Sequence, residues 1–449
     1  VTQPLPRPVA AIVLAAGKGT RMKSALHKVL HPLAGRPMLL HLLASVAELA
    51  PAHTVVVVGS GREQVETAVA GTGAVVVVQE PQLGTGHAVQ QAEAALATFD
   101  GDILILYGDV PLVEADTMRR MLDALGDDVG AVVLGFRPDD AGAYGRILAA
   151  GGMIEKMVEY KDASDAERAV TLCNSGLMAV RAGHLWPLLA RVGNANAAGE
   201  YYLPDIVGLA DRRSRVIETD AHEVAGINSR GELAAVEAGW QQRRRAEMMA
   251  AGVSLVAPET VWFAYDTVIA ADVRIEPNVW FGPGVSVASG AVIRAFSHIE
   301  GTQVGPNVEV GPFARLRPGT VLGAGSKVGN FVEAKNARLG EGAKANHLSY
   351  LGDAEIGAKA NIGAGTITCN YDGYFKYRTK IGTGAFIGSN SALVAPVTIG
   401  DNAVVGAGST VTGNIEADAL ALGRGSLVVK PGWAKRFHSA MAARKAGKS

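Results

Sequence analysis

Cysteine is nearly absent. Cys173 and Cys369 are the only two in 449 residues, they lie far apart, and neither has a CxxC neighbour. A framework of disulfide bridges is excluded, and a reducing cytoplasm is the expected compartment. Charge imbalance is missing as well: 42 Lys and Arg against 43 Asp and Glu leave a net charge of −1. That argues against nucleic acid or an acidic membrane as a partner held by bulk attraction, and leaves local anion sites open. Aromatic residues make up 6% of the chain and charged residues 19%, but hydrophobic residues reach 48%. This is ample for sizeable cores in two or three domains. No apolar run has transmembrane length. The apolar stretch 9–16 leads straight into Gly17-Lys18-Gly19-Thr20-Arg21, so it reads as a buried strand entering a loop, not as a signal peptide.

What the chain does have is a period. An aliphatic or small apolar residue returns almost every sixth position: Ile275, Phe281, Val287, Ile293, Ile299, then Val304, Val310, Leu316, Leu322, Val328, then Leu339, Ala345, Leu351, and later Ile381, Ile387, Leu393, Ile399, Val405, Val411. A helix repeats at about 3.6 residues and a strand at about 2, so neither alone gives this spacing. A chain coiled as a three-sided prism does, with one short strand per face and about 18 residues per coil. The periodic residue points to the axis, and Gly and other small residues are expected near the corners. One segment breaks the count, residues 368–379 (Thr-Cys-Asn-Tyr-Asp-Gly-Tyr-Phe-Lys-Tyr-Arg-Thr), and is expected to project as a loop.

The first half is organised differently. Apolar runs of strand length at 10–14, 54–58, 74–78, 102–106 and 131–134 alternate with amphipathic helical patterns such as 38–49 and 86–98. Such alternation implies an α/β domain with a mostly parallel sheet, helices on both faces, and ligands at the carboxyl ends of the strands. The expected division is 1–228 for this domain, 229–252 for a linker helix capped by Ser229, 253–436 for the coil, and 437–449 for a flexible tail. The run Arg243-Arg244-Arg245 reads as a solvated helix face.

Two stretches of the first domain carry chemistry. Leu14-Ala15-Ala16-Gly17-Lys18-Gly19-Thr20-Arg21-Met22 follows a strand, and its glycines let backbone N–H groups approach phosphate oxygens. It is neither a Walker loop nor a GxGxxG fingerprint, and alone it is equally a structural turn. Arg21 and Lys28 stand just downstream as two cations suited to a triphosphate. Tyr107-Gly108-Asp109 ends an apolar strand, and Asp109 with Asn228 would hold Mg²⁺, which takes few protein ligands.

The motif Leu-Ala-Ala-Gly-x-Gly-Thr-Arg-Met followed by Lys-Val-Leu resembles the nucleotidyltransferase domain of sugar-nucleotide pyrophosphorylases. With the coil behind it, the chain resembles, from residue 9 to 433, the bacterial bifunctional N-acetylglucosamine-1-phosphate uridyltransferase/glucosamine-1-phosphate acetyltransferases. The resemblance implies a Rossmann-like nucleotidyltransferase domain joined to a left-handed parallel β-helix, in a cytoplasmic homotrimer. It implies small-molecule substrates only: UTP, glucosamine 1-phosphate, N-acetylglucosamine 1-phosphate and acetyl-CoA, with Mg²⁺ (or Mn²⁺) as the metal. Leu14, Ala15, Ala16 and Gly17 would hold the nucleotide, with Lys28 and Arg21 neutralising its phosphates. Gln79, Gly84 and Thr85 would read uracil, Tyr107 and Gly108 would line the sugar nucleotide, and Gly145, Glu159 and Asn174 would grip the amino sugar. Asn228 belongs to the same site, and the segment Glu200-Tyr201-Tyr202-Leu203-Pro204-Asp205 matches one beside the sugar.

On the coil, the residues themselves suggest an acyl-transfer site. His347 occupies an outward corner, Glu333 lies almost one coil earlier and is expected to stack near the imidazole, and Arg317 and Lys335 form a cationic ladder one coil apart. The resemblance makes His347 the base and Glu333 its partner, with Arg317, Lys335, Tyr350 and Asn361 on the sugar phosphate. It places Asn370 and Tyr371 at the acetyl end, and gives Ala364, Ser389, Ala407 and Arg424 to coenzyme A, with Lys430 as an addition. Cys369 is a bystander. His27, Tyr374-Phe375 and Gly423 depart from the residues common at those places in the family. Two other readings stand beside this one: a single-activity sugar-1-phosphate nucleotidyltransferase with a purely structural coil, and a non-enzymatic binder of sugar nucleotides.

Overall fold

A computed structural model of the chain describes residues 7–17, 19–126, 128–196 and 198–446. Two compact units divide between Arg244 and Arg245. The first is built on a nine-stranded sheet. In chain order its strands are β1 (Val9–Ala15), β2 (His53–Val58), β3 (Val75–Val78), β4 (Asp102–Tyr107), β5 (Val129–Phe136), β6 (Arg146–Ala150), β7 (Met153–Val158), β8 (Cys173–Arg181) and β9 (Arg213–Thr219). Their spatial order is β3-β2-β1-β4-β8-β5-β9-β7-β6.

The edge from β3 to β4 is wholly parallel, as strand–helix alternation requires. Alternate residues of β1 serve two cores. Val9, Ala11, Val13 and Ala15 pack with Leu39, Leu42 and Met118 on one face, while Ala10, Ile12 and Leu14 pack with Val89, Leu185 and Leu188 on the other. A strand covered by helices on both faces is apolar at every position, and β1 is buried throughout. The far half of the sheet departs from the parallel expectation. β8 runs antiparallel to both β4 and β5. β6 and β7 form an antiparallel hairpin, because Gly151 and Gly152, at φ 57° and 78°, turn the chain without a helix between them.

The second unit is the three-sided coil. Its short strands stack into three parallel ladders of ten, eight and eight strands. The register confirms the period: Ile275 pairs with Ile293, then Val310, Val328, Ala345 and Ile362 in successive coils. Every one of the periodic positions named above is buried. The interruption at 368–379 falls between successive coils, so that Ile362 pairs next with Ile387.

The corners hold more than small residues. Phe296, Phe313, Phe331 and Leu348 occupy successive turns of one corner at φ 58°, 55°, 55° and 51°. A left-handed conformation costs a non-glycine residue about 1–2 kcal/mol. Here the rings stack, Phe296 on Phe313 at 4.9 Å and Phe313 on Phe331 at 5.2 Å, with interplanar angles of 3° and 17°. Such pairs contribute about 0.5–1.5 kcal/mol each, enough to offset much of the cost.

The helix joining the expected domains runs Arg230–Ala250. Ser229 Oγ accepts from Glu232 N–H at 3.3 Å, and the Glu232 carboxylate accepts from Ser229 N–H at 2.8 Å, a reciprocal cap. The C-terminal segment carries a helix. Trp433–Ala446 is a helix with no buried residue. Its alanines and basic residues are strong helix formers. Residues 447–449 of that segment lie outside the described residues.

The stacked axis makes a quantitative prediction. Leu316→Ala, at a fully buried position, should lower the denaturant midpoint of the coil's transition by the equivalent of about 2–5 kcal/mol. Arg315→Ala, on the exposed side of the same strand, should change it by less than about 0.5 kcal/mol. Equal effects would contradict the inward register.

Candidate active sites

Strands β1 and β4 lie side by side with Leu14 opposite Tyr107. Both therefore deliver their following loops to the same edge of the sheet, and Gly108 N–H closes the junction on the Leu14 carbonyl at 2.9 Å. A cavity of about 310 Å³ opens there, lined by Leu14, Ala15, Ala16, Gly17, Lys28, Gln79, Gly84, Thr85, Tyr107 and Asp109. Residues picked from four separate stretches of sequence thus meet in one place.

At its floor, Lys28 Nζ lies 2.5 Å from Asp109 Oδ2 and 3.1 Å from Asn228 Oδ1. Asn228 reaches this point because Ile227 N–H donates to the Asp109 carbonyl at 2.9 Å, and because its own N–H is held by Glu232 at 2.6 Å. Gly19 allows the loop to close over the lysine: at φ 61°, a Cβ there would stand 2.5 Å from Lys28 Cβ. Arg21 sits exposed in the single turn Thr20–Met22. Lys18, just before Gly19 in the motif, is outside the described residues.

Asp109 and Asn228 present hard oxygen donors to one point, the chemistry Mg²⁺ selects. Among the described residues no group of three or more His, Cys, Asp and Glu could hold a metal by itself. A cation at Asp109 and Asn228 would therefore be completed by water and by substrate phosphates.

The wall expected to read uracil is zipped by backbone bonds. Tyr201 N–H donates to the Leu83 carbonyl at 2.9 Å, and Gly86 N–H to the Tyr201 carbonyl at 2.8 Å. Gly84 adopts φ 110°, and a Cβ there would lie 2.7 Å from the Tyr201 carbonyl oxygen, so only glycine fits. The Gln79 amide is spanned between the Gly84 carbonyl at 2.9 Å and His87 Nδ1 at 3.2 Å. Thr85 accepts from Leu203 N–H at 3.0 Å. Sequence reasoning missed Gln82, whose amide bonds the Ala16 carbonyl and lines the cavity. Its place between Gln79 and Gly84 was the available signal.

Gly145, Glu159 and Asn174 line a second cavity of about 430 Å³, together with Asp205. Burial, and then Asp162 and Asp205, push the Glu159 carboxyl above its ordinary value. Burial likewise pushes the Tyr107 hydroxyl far up, against a hydrogen bond from Thr85, so the phenol stays neutral. Gly176, at φ 85°, lies against the Tyr107 ring, where a Cβ would come within 2.9 Å.

On the coil, His347 ends the strand Lys344–His347, and its Nδ1 lies 2.8 Å from Asn330 Oδ1, its register partner one coil earlier. The expected stacking of Glu333 near the imidazole is corrected by the register. Glu333 is opposite Tyr350, and its carboxylate is taken by Arg317 at 2.8 Å. The hydrogen-bond partner of the imidazole is Asn330.

Arg317 and Lys335 do stand on successive coils, with Arg317 N–H bonded to the Ala334 carbonyl at 2.9 Å. A third cation joins them. The Lys376 ammonium beside it, then burial and Arg317, hold the Lys335 ammonium below its ordinary value. Lys376 was in view within the projecting segment but was not counted. Burial works against the Asp353 carboxylate, yet hydrogen bonds from Asn336 and Asn370 and the charges of Lys335 and Lys376 keep it below the usual range.

Tyr350 and Asn370 converge over Gly352, where a side chain would overlap both the phenol oxygen and the amide. Tyr371 belongs to a small hairpin closed against Lys376. Its turn is held by the Asp372 carboxylate, which accepts from Tyr374 and Phe375 N–H at 2.8 and 2.6 Å. Asn361 lies on the same ladder as His347. Ala364, Ser389 and Ala407 climb the corner above the histidine in successive coils. Gly365 N–H bonds the His347 carbonyl, Asn390 N–H that of Ala364, and Gly408 N–H that of Ser389. Arg424 closes the column on the Ala407 carbonyl at 2.8 Å. Lys430 is exposed beyond it.

Residues 11–182 match the MobA-like NTP transferase domain, and residues 378–413 match six repeats of the bacterial transferase hexapeptide. Full-length relatives agree. The chain is 67% identical over 444 residues to the bifunctional protein GlmU of Sphingopyxis alaskensis, covering 98% of each chain. It is 68% identical over 448 residues to that of Rhizorhabdus wittichii, covering 98% of this chain and 99% of the relative. The chain belongs to the bifunctional GlmU family. The GlmU protein of Zymomonas mobilis is 58% identical over 439 residues, with 96% and 98% covered. Membership makes this an enzyme with uridylyltransferase and acetyltransferase activities, and it makes the coil a left-handed parallel β-helix. It acts on small molecules, by nucleotidyl transfer and with acetyl-CoA.

The corrected histidine partner generates a prediction. Asn330→Ala should lower the acetyl-transfer kcat by about tenfold, the worth of one orienting hydrogen bond of about 1.4 kcal/mol. Uridylyl transfer should be unchanged. An unaltered acetyl-transfer rate would remove Asn330 from the site.

Proposed function

We propose that the chain acetylates glucosamine 1-phosphate with acetyl-CoA and then transfers UMP from UTP to the resulting N-acetylglucosamine 1-phosphate, releasing pyrophosphate. The observation that best supports the reading is the convergence of Lys28, Asp109 and Asn228 in one unit, matched by the stacking of Arg317, Lys335 and the Asn330–His347 pair in the other. A structural coil would have no use for the second set, and a mere binder of nucleotides no use for a lysine buried against a carboxylate.

In uridylyl transfer, an oxygen of the sugar 1-phosphate attacks the α-phosphorus of UTP in line. A phosphate monoester is already an adequate nucleophile, so the protein's task is to position two polyanions and neutralise their charge. Residues 14–17 offer backbone N–H groups to the nucleotide, Gln79, Gly84 and Thr85 hold uracil, and Lys28 and Arg21 supply positive charge. Gly145, Glu159 and Asn174, beside Tyr107 and Gly108, hold the sugar. Asp109 and Asn228 would hold Mg²⁺, with Mn²⁺ as a substitute; when bound, it neutralises charge on the triphosphate.

In acetyl transfer, the free amine of glucosamine 1-phosphate attacks the thioester carbonyl. A C–N bond forms, the C–S bond breaks, and coenzyme A leaves as thiolate. The amine's proton must go to a neutral imidazole. Asn330 Oδ1 is an acceptor, so His347 Nδ1 carries the hydrogen and Nε2 is the free base. Arg317, Lys335 and Lys376, with Tyr350 and Asn361, hold the sugar phosphate, and Glu333 keeps Arg317 in place. Asn370 and Tyr371 sit at the acetyl end, and the column Ala364, Ser389, Ala407 and Arg424 carries coenzyme A.

The division 1–228, 229–252, 253–436 and 437–449 stands as part of the proposal, as does a homotrimer. The exposed ridge of Phe296, Phe313, Phe331 and Leu348 supports it: this apolar edge ends beside His347, where a second copy would cover it. A cytoplasmic location fits two free thiols, Cys173 and Cys369, and the lack of any described helix long and apolar enough to cross a membrane.

One incubation tests the assignment: protein, glucosamine 1-phosphate, acetyl-CoA, UTP and Mg²⁺, followed by free thiol and pyrophosphate. The native chain should release both. Lys28→Ala and Asp109→Ala should release thiol but no pyrophosphate. His347→Ala should release no thiol, and pyrophosphate only when N-acetylglucosamine 1-phosphate is supplied. Near-normal uridylyl transfer without Lys28 or Asp109, or acetylation without His347, would overturn the reading.

A further inference from the structure

Lys28 is the cation at the floor of the nucleotide cavity, and the segment 23–27 just before it forms neither helix nor strand. Its backbone is nonetheless tied to a distant element. His27 N–H donates to Gln64 Oε1 at 2.9 Å, and Gln64 Nε2 donates to the Ala25 carbonyl at 3.0 Å. One side-chain amide thus grips the chain on both sides of Leu26. Both partners are backbone groups with fixed roles, so only this orientation of the amide satisfies the pair. Gln64 is itself anchored. It stands in the first turn of the helix Arg62–Val69, whose Val65 and Val69 are buried in the core that also takes Val9, Ala11, Val13 and Ala15 of β1.

The same helix start receives the His27 ring, which lies against Gly61: a Cβ there would stand 3.6 Å from His27 Cδ2. The imidazole is 7% exposed, and neither of its nitrogens has a hydrogen-bond partner among the described residues. Burial, and then the Lys28 charge, hold it below its ordinary value, so it packs as a neutral ring. His27 also opens the turn that carries the lysine. At φ −57° and ψ 140° it precedes the single turn Lys28–Leu30, and its carbonyl accepts from Leu30 N–H at 2.9 Å. Its N–H is therefore held by Gln64 and its carbonyl by the turn, and between them the direction in which Lys28 leaves the backbone is set. The lysine stem is long and flexible, so a small error at its root displaces the ammonium from Asp109 and Asn228.

We infer that Gln64 is a positioning residue of uridylyl transfer: by clamping residues 25 and 27 it fixes the turn that delivers Lys28 to the phosphates. The inference rests on the proposed role of Lys28. It goes further in giving a role to a side chain that lines neither the nucleotide cavity nor the sugar cavity. A clamp that only stabilised the unit would act independently of how residue 27 is held and of whether the ammonium is present. One that acts through Lys28 loses its effect when the entry to the turn is fixed by other means, or when the ammonium is gone.

Two double-mutant cycles on the full chain test it. Gln64→Met removes both hydrogen bonds and keeps the stem and the helix propensity. In the native background it should lower kcat of uridylyl transfer about fivefold, in the range of one hydrogen bond. KM for N-acetylglucosamine 1-phosphate should stay within about twofold, and acetyl transfer should be untouched. His27→Pro removes the N–H that Gln64 holds and fixes φ covalently, close to the −57° already present. On that background, whatever rate it sets, Gln64→Met should change kcat by less than about twofold. The second cycle reads binding, by calorimetry with UTP and Mg²⁺. Gln64→Met should weaken UTP about fivefold when Lys28 is present and less than about twofold on the Lys28→Ala background. Equal losses on both backgrounds of either cycle would reduce Gln64 to a structural role and overturn the inference, as would no loss in the native background. A Lys28→Ala chain that binds UTP and transfers uridylyl as the native one does would overturn the assignment of Lys28 itself.

Discussion

The coil's stacking register governs everything built on it. An inward apolar side chain at every sixth residue fixes where each coil sits on the last, about 4.8 Å higher. Separation by roughly one coil in sequence thereby becomes contact in space. Arg317 comes beside Lys335, Asn330 faces His347, and Asp353 receives Asn370. Three phenylalanines form a continuous stack down one corner by the same rule. The site proposed for acetyl transfer has no loop scaffold of its own apart from one hairpin; it is a pattern printed on the surface of a rigid prism.

The α/β unit works by the opposite arrangement. Its sheet is a platform, and its site lies in the loops that leave the strands' carboxyl ends. The contacts there are largely backbone, so glycines rather than charged residues decide whether the loops fit: Gly19 over Lys28, Gly84 against Tyr201, Gly176 against Tyr107. Charge enters where the Lys28 ammonium bridges Asp109 and Asn228. The two chemistries call for this difference. Phosphoryl transfer needs oriented polyanions and neutralised charge, whereas acyl transfer to an amine needs one correctly placed neutral imidazole.

The sequence displayed much of this and hid the rest for definable reasons. The hexad positions were legible because a six-residue period has no other simple explanation, and all of those read out are buried. The loop at 14–22 was legible because its residue types and spacing are specific. The partner of His347 was not. Coil length varies between 17 and 18 residues, as Ile275–Ile293–Val310 shows; Asn330 stands one such coil before His347, and a count of "almost one coil" overlooked that Glu333 falls short of it. Lys376 was hidden because a hairpin that leaves the repeat leaves its register too. The antiparallel turn at Gly151-Gly152 and the helix Trp433–Ala446 rest on local propensities that a reading by repeats and motifs passed over.

If each site is complete within its own scaffold, two damaged chains should make one working system. Purified Lys28→Ala and His347→Ala proteins, mixed with glucosamine 1-phosphate, acetyl-CoA, UTP and Mg²⁺, provide the most direct measurement. The first should supply N-acetylglucosamine 1-phosphate and the second should consume it, so that UDP-N-acetylglucosamine accumulates in the mixture and in neither protein alone. A mixture that makes none, while each protein still performs its own half-reaction, would contradict two separately built sites linked by a freely diffusing intermediate.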